Sequence, residues 1–375
     1  MIKSRLCDRL GIQYPIIQGG MGPFGTNKLC IAASNAGLLG LISSSGLSYK
    51  DTTREIYDYF CRTGGADPDH DMKKVLTTIF QRTLKQTRAK QGIFGVNVLV
   101  AEEMMDIAKL IIETAIQTRE EDPEMRQRFR VLVTSAGDPL PWTDTVRKAG
   151  LIWMHVVPSV KAALRCKKAG VDVIIASGHE GGFHVAWEPV HTMTLLPAVV
   201  EAVSDEKTLV VGAGGFCDGR TLAAALILGA DGVQMGTRFL ATYDSDFHQV
   251  WKESVVAAGD RGTLVARGFV GPARWLKTPR SEEHALNTLK KSPGVFLGIP
   301  DDFTTLDMSL IDFENESFNA LYKGDEKKAL FAAGESMQRI NDIPRVGDLV
   351  KRMVTEAEEV LKSVQTKTLS LCPEP

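Results

Sequence analysis

Short, largely continuous apolar runs alternate with amphipathic stretches of helical period through roughly the first 240 residues of the chain. The runs are PIIQG from Pro15, LLGLISSSG from Leu38, IFGVNVLV from Ile93, VLVTSAG from Val131, LIWMHVVP from Leu151, VDVIIASG from Val171, TLVVGAGG from Thr208 and DGVQMGTRF from Asp231. Apolar residues that do not alternate with polar ones are what parallel strands buried on both faces require. Between the runs lie stretches such as SVKAALRCKKAG and DGRTLAAALILGA, each closing in Gly or Gly-Ala, a helix stop. Eight such βα units predict an α/β fold closed into a (β/α)8 TIM barrel over residues 1–241. A doubly wound open sheet would give a similar pattern.

Two regions break the rhythm. From Cys61 to Gly92 the chain is polar and charged, long for a βα connection, and predicts an inserted helix or lid. From Thr242 to Gly324 the alternation gives way to a helical pattern, which predicts a second, smaller, mainly helical domain over the barrel mouth. Residues 325–366 then predict two helices returning to the barrel, the second after Pro344.

The chain has 375 residues, more than the roughly 250 of a bare barrel. A net charge of −2, from 44 basic and 46 acidic residues, leaves no basic field for nucleic acid. No apolar run reaches about 18 residues, so no membrane span is expected. The start, MIKSRLCDRLGIQYPII, lacks the pattern of a secretory signal. Six cysteines scattered without a CxxC pair fit reduced thiols and a cytoplasmic setting. A homodimer is compatible with a helix-rich barrel exterior, but the sequence names no interface.

Barrel chemistry sits at the C-terminal ends of strands. That rule gathers Gly20 and Met21, Asn97, the stretch Ser177 to His184, Gly214 and Gly215, and the run Gln234, Met235, Gly236 and Thr237. Gly214 and Gly215 precede a helix, where bare backbone N–H groups and the positive helix end suit a phosphate. Gly236 and Thr237 would add donors from the next strand end. The plainer alternative is that these glycines only make tight βα turns. His184 follows a glycine-rich stretch and is the candidate acid or base; the alternative is a loop histidine bonded to backbone. His179 is a weaker competitor. Glu180 is expected to cap a helix rather than orient His184, and Cys217 to pack. Met21 and Asn97 can contact a ring system or fill the core. His70, His155, His191 and His248 are expected to be structural or solvated. No Walker pattern, GxGxxG spacing or metal-ligand set is present.

Together, YPIIQGGM, FGVN, SGHEGGFH, VGAGGFCDGRTLAAALILGADGVQMGTRFLAT and AAGESMQRI resemble the nitronate monooxygenase (2-nitropropane dioxygenase-like) family of FMN proteins. That group also holds NAD(P)H:quinone reductases and type II enoyl-[acyl-carrier-protein] reductases. The resemblance covers most of the chain and implies an FMN-binding TIM-barrel oxidoreductase with a smaller domain over the flavin. By position it implies the flavin against Gly20, Met21 and Asn97, its ribityl chain along Ser177, Gly178 and Gly182, and its phosphate at Gly214, Gly215, Gln234, Met235, Gly236 and Thr237. It also implies His184 as the active-site histidine. The implied reaction is oxidation of a small-molecule alkyl nitronate with O2. The alternatives are reduction of a quinone, enone or enoyl thioester, with NADH or NADPH as the reductant, and a non-catalytic flavin-binding barrel. Three departures stand out: relatives usually read Glu-Ala-Gly-Gly-His-Arg-Gly where this chain has Glu180-Gly181-Gly182-Phe183-His184-Val185-Ala186, Ser177 stands where they often have Gln, Asp or Glu, and the segment from Cys61 to Gly92 is longer than usual.

Overall fold

The computed structural model describes residues 2–369. Eight strands run parallel: β1 Ile16–Gln18, β2 Gly40–Ser43, β3 Phe94–Leu99, β4 Phe129–Ser135, β5 Ile152–Val157, β6 Val173–Ser177, β8 Leu209–Ala213 and β9 Gly232–Met235. Their order is β1-β9-β8-β6-β5-β4-β3-β2. The ring closes where Gln18 N–H donates to Leu39 O (2.9 Å) and Leu39 N–H to Ile16 O (3.2 Å). The sheet is therefore a barrel rather than an open doubly wound array, and each of the eight apolar runs supplies one strand.

Residue parity sorts the strands into two buried layers. Val131, Val133, Val173, Ile175, Leu209 and Val211 fill the barrel interior, whereas Leu132, Ile174, Ala176 and Val210 face the surrounding helices. This double burial explains the unbroken apolar runs. The helix Arg5–Leu10 sends Leu6 and Leu10 into the interior cluster. A Cβ on Gly232, the first residue of β9, would lie 2.7 Å from Leu6 Cδ2, so this helix plugs the N-terminal end and the opposite end is left for a site.

Of the two expectations for residues 61–92, the inserted helix is what forms. They hold the whole amphipathic helix Met72–Thr87, whose Val75, Leu76, Ile79, Phe80 and Leu84 are buried in the main core, and none of them borders the cavity described below. Its charged outer face is the ordinary solvent face of a barrel helix.

Segment 242–324 is not all helical. Beside the helices Gln249–Ala257, Pro279–Lys291 and Ser309–Tyr322 it contains the antiparallel hairpin β10 Thr263–Gly268 and β11 Gly271–Leu276. Every residue of β11 is buried, so no alternation marked it in the sequence. A short strand from the barrel's own β6 connection, β7 Phe183–His184, pairs with β11 and makes the sheet three-stranded. Of the two helices expected beyond residue 325, only the second, Val346–Leu369, forms. The apolar stretch Ala329–Ala333 is buried in extended form, with Ala332 bridged to Trp275, and is followed by a single 3-10 segment, Glu335–Arg339. No helix among the described residues is long and apolar enough to cross a membrane.

The small domain's core holds a buried carboxyl. Glu314 is 2% exposed and its Oε2 has no hydrogen-bond partner. Burial pushes its carboxyl up to about 8, against the opposing pull of Arg267 and the Phe269 N–H. An unfolded glutamate titrates near 4.3. The folded value is the raised one, so the neutral acid stabilises the fold fully at about pH 4, and that contribution is lost as pH rises toward 8. Glu314→Gln should flatten this loss. Thermal melts of the two proteins are expected to diverge between about pH 5 and 9, the variant gaining on the order of 3 kcal/mol relative to wild type. Parallel pH profiles would show that the carboxyl is not held neutral.

Candidate active site

A cavity of about 420 Å³ opens at the C-terminal ends of the barrel strands. It is the kind of concave, mostly preformed space that small molecules occupy. The strand-end loops line its floor, while β7, the hairpin turn at Val270, Trp251 and the segment Ala332–Ser336 roof it. Gly20, Met21, Asn97, Ser177, Gly178, Gly182, His184, Gly214, Gly215, Gln234, Met235, Gly236 and Thr237 all border this one space. Residues far apart in sequence meet here because parallel strands deliver all their C-terminal ends to one face.

After β8, Gly214 and Gly215 both have left-handed backbones, with φ of 83° and 86°. A Cβ on Gly214 would lie 2.7 Å from Gly178 O, so only glycine lets this loop close on the one after β6. A Cβ on Gly215 would meet nothing nearer than Glu180 Cβ at 3.7 Å. Asp218 then caps the helix Gly219–Ile227 through a capping box with Thr221. At the next strand end, Met21 Sδ lies 3.3 Å from where a Gly236 Cβ would stand, and Gly20 is packed against Asn97. The first and third strand ends are thereby in contact across the mouth.

Glu180 is the only acid, and no lysine or arginine is present, among the described residues bordering the cavity. Its carboxylate accepts from Thr192 N–H (3.0 Å) at the start of the helix Thr192–Val203, the expected capping role. Thr192 Oγ1 lies 2.9 Å from both that carboxylate and Gly214 O, tying the loops after β6 and β8 together. An anion in this cavity would therefore be met by backbone N–H groups and hydroxyls rather than by side-chain cations.

His184 enters from β7, with its main chain paired to Ala273. The residue keeps partial exposure toward the cavity, yet its Nε2 is out of contact with solvent and has no protein partner. Burial, with help from Arg267, pushes its imidazole down to about 3, so the ring is neutral at ordinary pH. Gln234 Oε1 is a second buried atom at the cavity without a partner. Both orphaned polar atoms belong to residues that line one space, an unmet demand of the kind a ligand can satisfy once it displaces what covers them. With the paired left-handed glycines and the Thr237 hydroxyl, they fit a phosphate-bearing ring cofactor.

The rival His179 does not border the cavity. Its carbonyl accepts from Arg274, and its ring stands edge-on to His191 at 5.6 Å. His155 is buried against Thr134 Oγ1 (2.7 Å) and His248 accepts from Val250 N–H, so both are structural. The Cys217 thiol, pushed up to about 11 by burial, is a packing residue. No group of metal-ligating side chains occurs among the described residues.

Sequence reasoning missed Gly334. Its N–H donates to Thr237 Oγ1 (2.8 Å), and a Cβ there would lie 2.6 Å from Glu180 O and 2.9 Å from Gly182 N. Glu335 N–H donates to Glu180 O (2.9 Å), so this segment threads between the loops after β6 and β9. The one signal available was a glycine inside an otherwise helix-forming run, Ala332-Ala333-Gly334-Glu335. Ser45, Ala136 and Trp187 also border the cavity without having been singled out.

A closed parallel barrel with its cavity at the strand C-termini and a roof from a smaller domain defines a TIM-barrel enzyme. The family model described as nitronate monooxygenase matches residues 3–356, and the chain belongs to that family. It is an oxidoreductase, and the family is flavin-dependent. The chain is 32% identical over 287 residues to the (3aS,4S,5R,7aS)-5-hydroxy-7a-methyl-1-oxo-octahydro-1H-indene-4-carboxyl-CoA dehydrogenase of Mycobacterium tuberculosis, covering 75% of this chain and 68% of that one. A probable nitronate monooxygenase of Staphylococcus aureus is 29% identical over 301 residues, 72% of this chain and 76% of its own. The solved structure of FabK from Thermotoga maritima superposes with a TM-score of 0.75 at 28% identity, covering 98% of this chain and 100% of that one.

Proposed function

We propose that the chain is an FMN-dependent oxidoreductase that oxidises alkyl nitronates with O2 in the strand-end cavity, His184 meeting the substrate. The observation that carries this is His184, a lining residue whose Nε2 has no protein partner, beside a cavity edged by the glycine loops. When bound, the flavin supplies the ring that accepts electrons and returns them to O2. The backbones of Gly214, Gly215 and Gly236, with Thr237, would hold its phosphate, supported by Gln234 and Met235. Gly20, Met21 and Asn97 would bind its ring, and Ser177, Gly178 and Gly182 its chain. His184, neutral by burial, would meet the nitronate as a hydrogen-bond donor rather than as a base.

One observation favours a second reaction class. The substrate side is apolar: Leu99, Val156, Val157, Val185 and Val270 border the cavity, and Val185 and Ala186 stand where the family pattern has Arg-Gly. With the FabK likeness, this supports NADH- or NADPH-dependent reduction of an enone, quinone or enoyl thioester, His184 stabilising the enolate as a hydrogen-bond donor.

Anaerobic mixing of the yellow protein with propyl nitronate, NADH or NADPH decides between them. Bleaching by the nitronate alone is the expected result. Bleaching by a nicotinamide alone would overturn the nitronate reading in favour of the reductase. A protein that cannot be loaded with FMN would overturn both.

A further inference from the structure

Phe183 has a left-handed backbone, with φ of 61°. Holding a bulky residue there costs about 1–3 kcal/mol, a cost glycine largely escapes. The contacts of the phenyl ring offset that cost. The ring stands edge-on to Trp275 at 5.4 Å and to Phe318 at 5.8 Å, and lies 4.1 Å from the His184 ring at an interplanar angle of 30°.

The main chain is held at the same place. Phe183 pairs with Arg274 and His184 with Ala273 on β11. The Arg274 side chain donates to His179 O (2.9 Å) and pairs with Glu335 (2.9 Å). Strand β11 thus clamps the His179–His184 loop at both ends. We infer that Phe183 is a positioning residue, its ring wedged between the small-domain core and the His184 imidazole so as to fix that ring over the cavity and exclude water from it.

The inference rests on the role proposed for His184. The charged groups on the elements packed against His184 are few and engaged. Arg267 on β10 is paired with Asp301 (2.9 Å), Glu314 lies behind it, Arg274 is paired with Glu335, and Glu180 is held by Thr192. None of them is altered by changing Phe183, so a change in His184 titration would report exposure and aim.

The test compares Phe183→Gly, Phe183→Leu and Phe183→Tyr in the full-length flavoprotein. The readouts are the NMR titration of the ring-labelled His184, assigned by its loss in His184→Gln, and the separate values of kcat and KM. Glycine accepts the backbone and removes the ring. Its His184 midpoint should move up from about 3 toward the free value near 6.5, with kcat down about 10- to 100-fold and KM within about 3-fold. Tyrosine should restore both readouts and leucine, equally bulky but not flat, neither. An unmoved midpoint in Phe183→Gly, or full rescue by leucine, would overturn the inference. If Phe183→Gly does not fold, Phe183→Leu carries the same test with the same outcomes. Unchanged turnover in His184→Ala beside a moved midpoint in Phe183→Gly would remove the proposed function while leaving the positioning role standing.

Discussion

Replacing His184 with alanine is expected to lower turnover of the nitronate by about 10²- to 10⁴-fold while leaving flavin content and melting temperature close to wild type. The split follows from where the residue stands. Its Nε2 makes no protein hydrogen bond, so truncation strands no buried partner. Its main chain keeps the pairing with Ala273 whatever the side chain. Stopped-flow bleaching under anaerobic conditions separates binding from reaction, and the loss belongs in the limiting bleaching rate. An unchanged rate would assign the ring to packing beside Phe183 and leave the cavity without a reacting side chain.

Gly214→Val is expected to yield a protein purified without flavin and unable to take up FMN at micromolar concentration. Two costs combine at this position. A β-branched residue at φ 83° is strained by about 1–3 kcal/mol, and its Cβ would stand 2.7 Å from Gly178 O, a backbone atom that cannot swing aside. Relieving the clash parts the loops after β6 and β8, which together edge the end of the cavity proposed to hold the phosphate. Gly215→Ala is the informative companion. Its added methyl meets only the Glu180 side chain, at 3.7 and 3.9 Å, so apart from about 1 kcal/mol of left-handed backbone strain the fold should survive, while FMN affinity falls about 10-fold or more. Calorimetric titration with FMN makes the measurement. Wild-type affinity in Gly215→Ala would mean that the paired glycines serve only the turn.

Much of the barrel was legible because its physics is local. A strand buried on both faces needs an unbroken apolar run, and Val131–Val133, Val173–Ala176 and Leu209–Val211 supply such runs. Asp218 and Gly170 mark a helix start and a helix stop through backbone geometry set within a few residues. The gathering of the glycine loops followed from one rule, that parallel strands present their C-terminal ends together. The hairpin β10–β11 was not legible, because β11 is buried on both faces and Arg267 and Arg274 within the hairpin are buried and paired with Asp301 and Glu335 far along the chain. The extended course of Ala329–Ala333 was hidden for a related reason. Alanines and leucines favour a helix, and only the pairing of Ala332 with Trp275 and burial in the small-domain core override that preference.

By itself, then, the sequence determined the eight-fold βα repeat, the strand ends where chemistry gathers, and the residue types that could hold a phosphate and move a proton. These depend on periodicity and on backbone freedom, which neighbouring residues set. The tertiary structure alone decided that the ring closes between β1 and β2, that His184 is carried on a strand of the second sheet, that Gly334 completes the roof, and that His184 is buried to neutrality while Glu180 is spent on a helix end. Each of those depends on groups more than ten residues apart meeting in space, and an imidazole's charge is fixed by what surrounds it rather than by what precedes it in the chain.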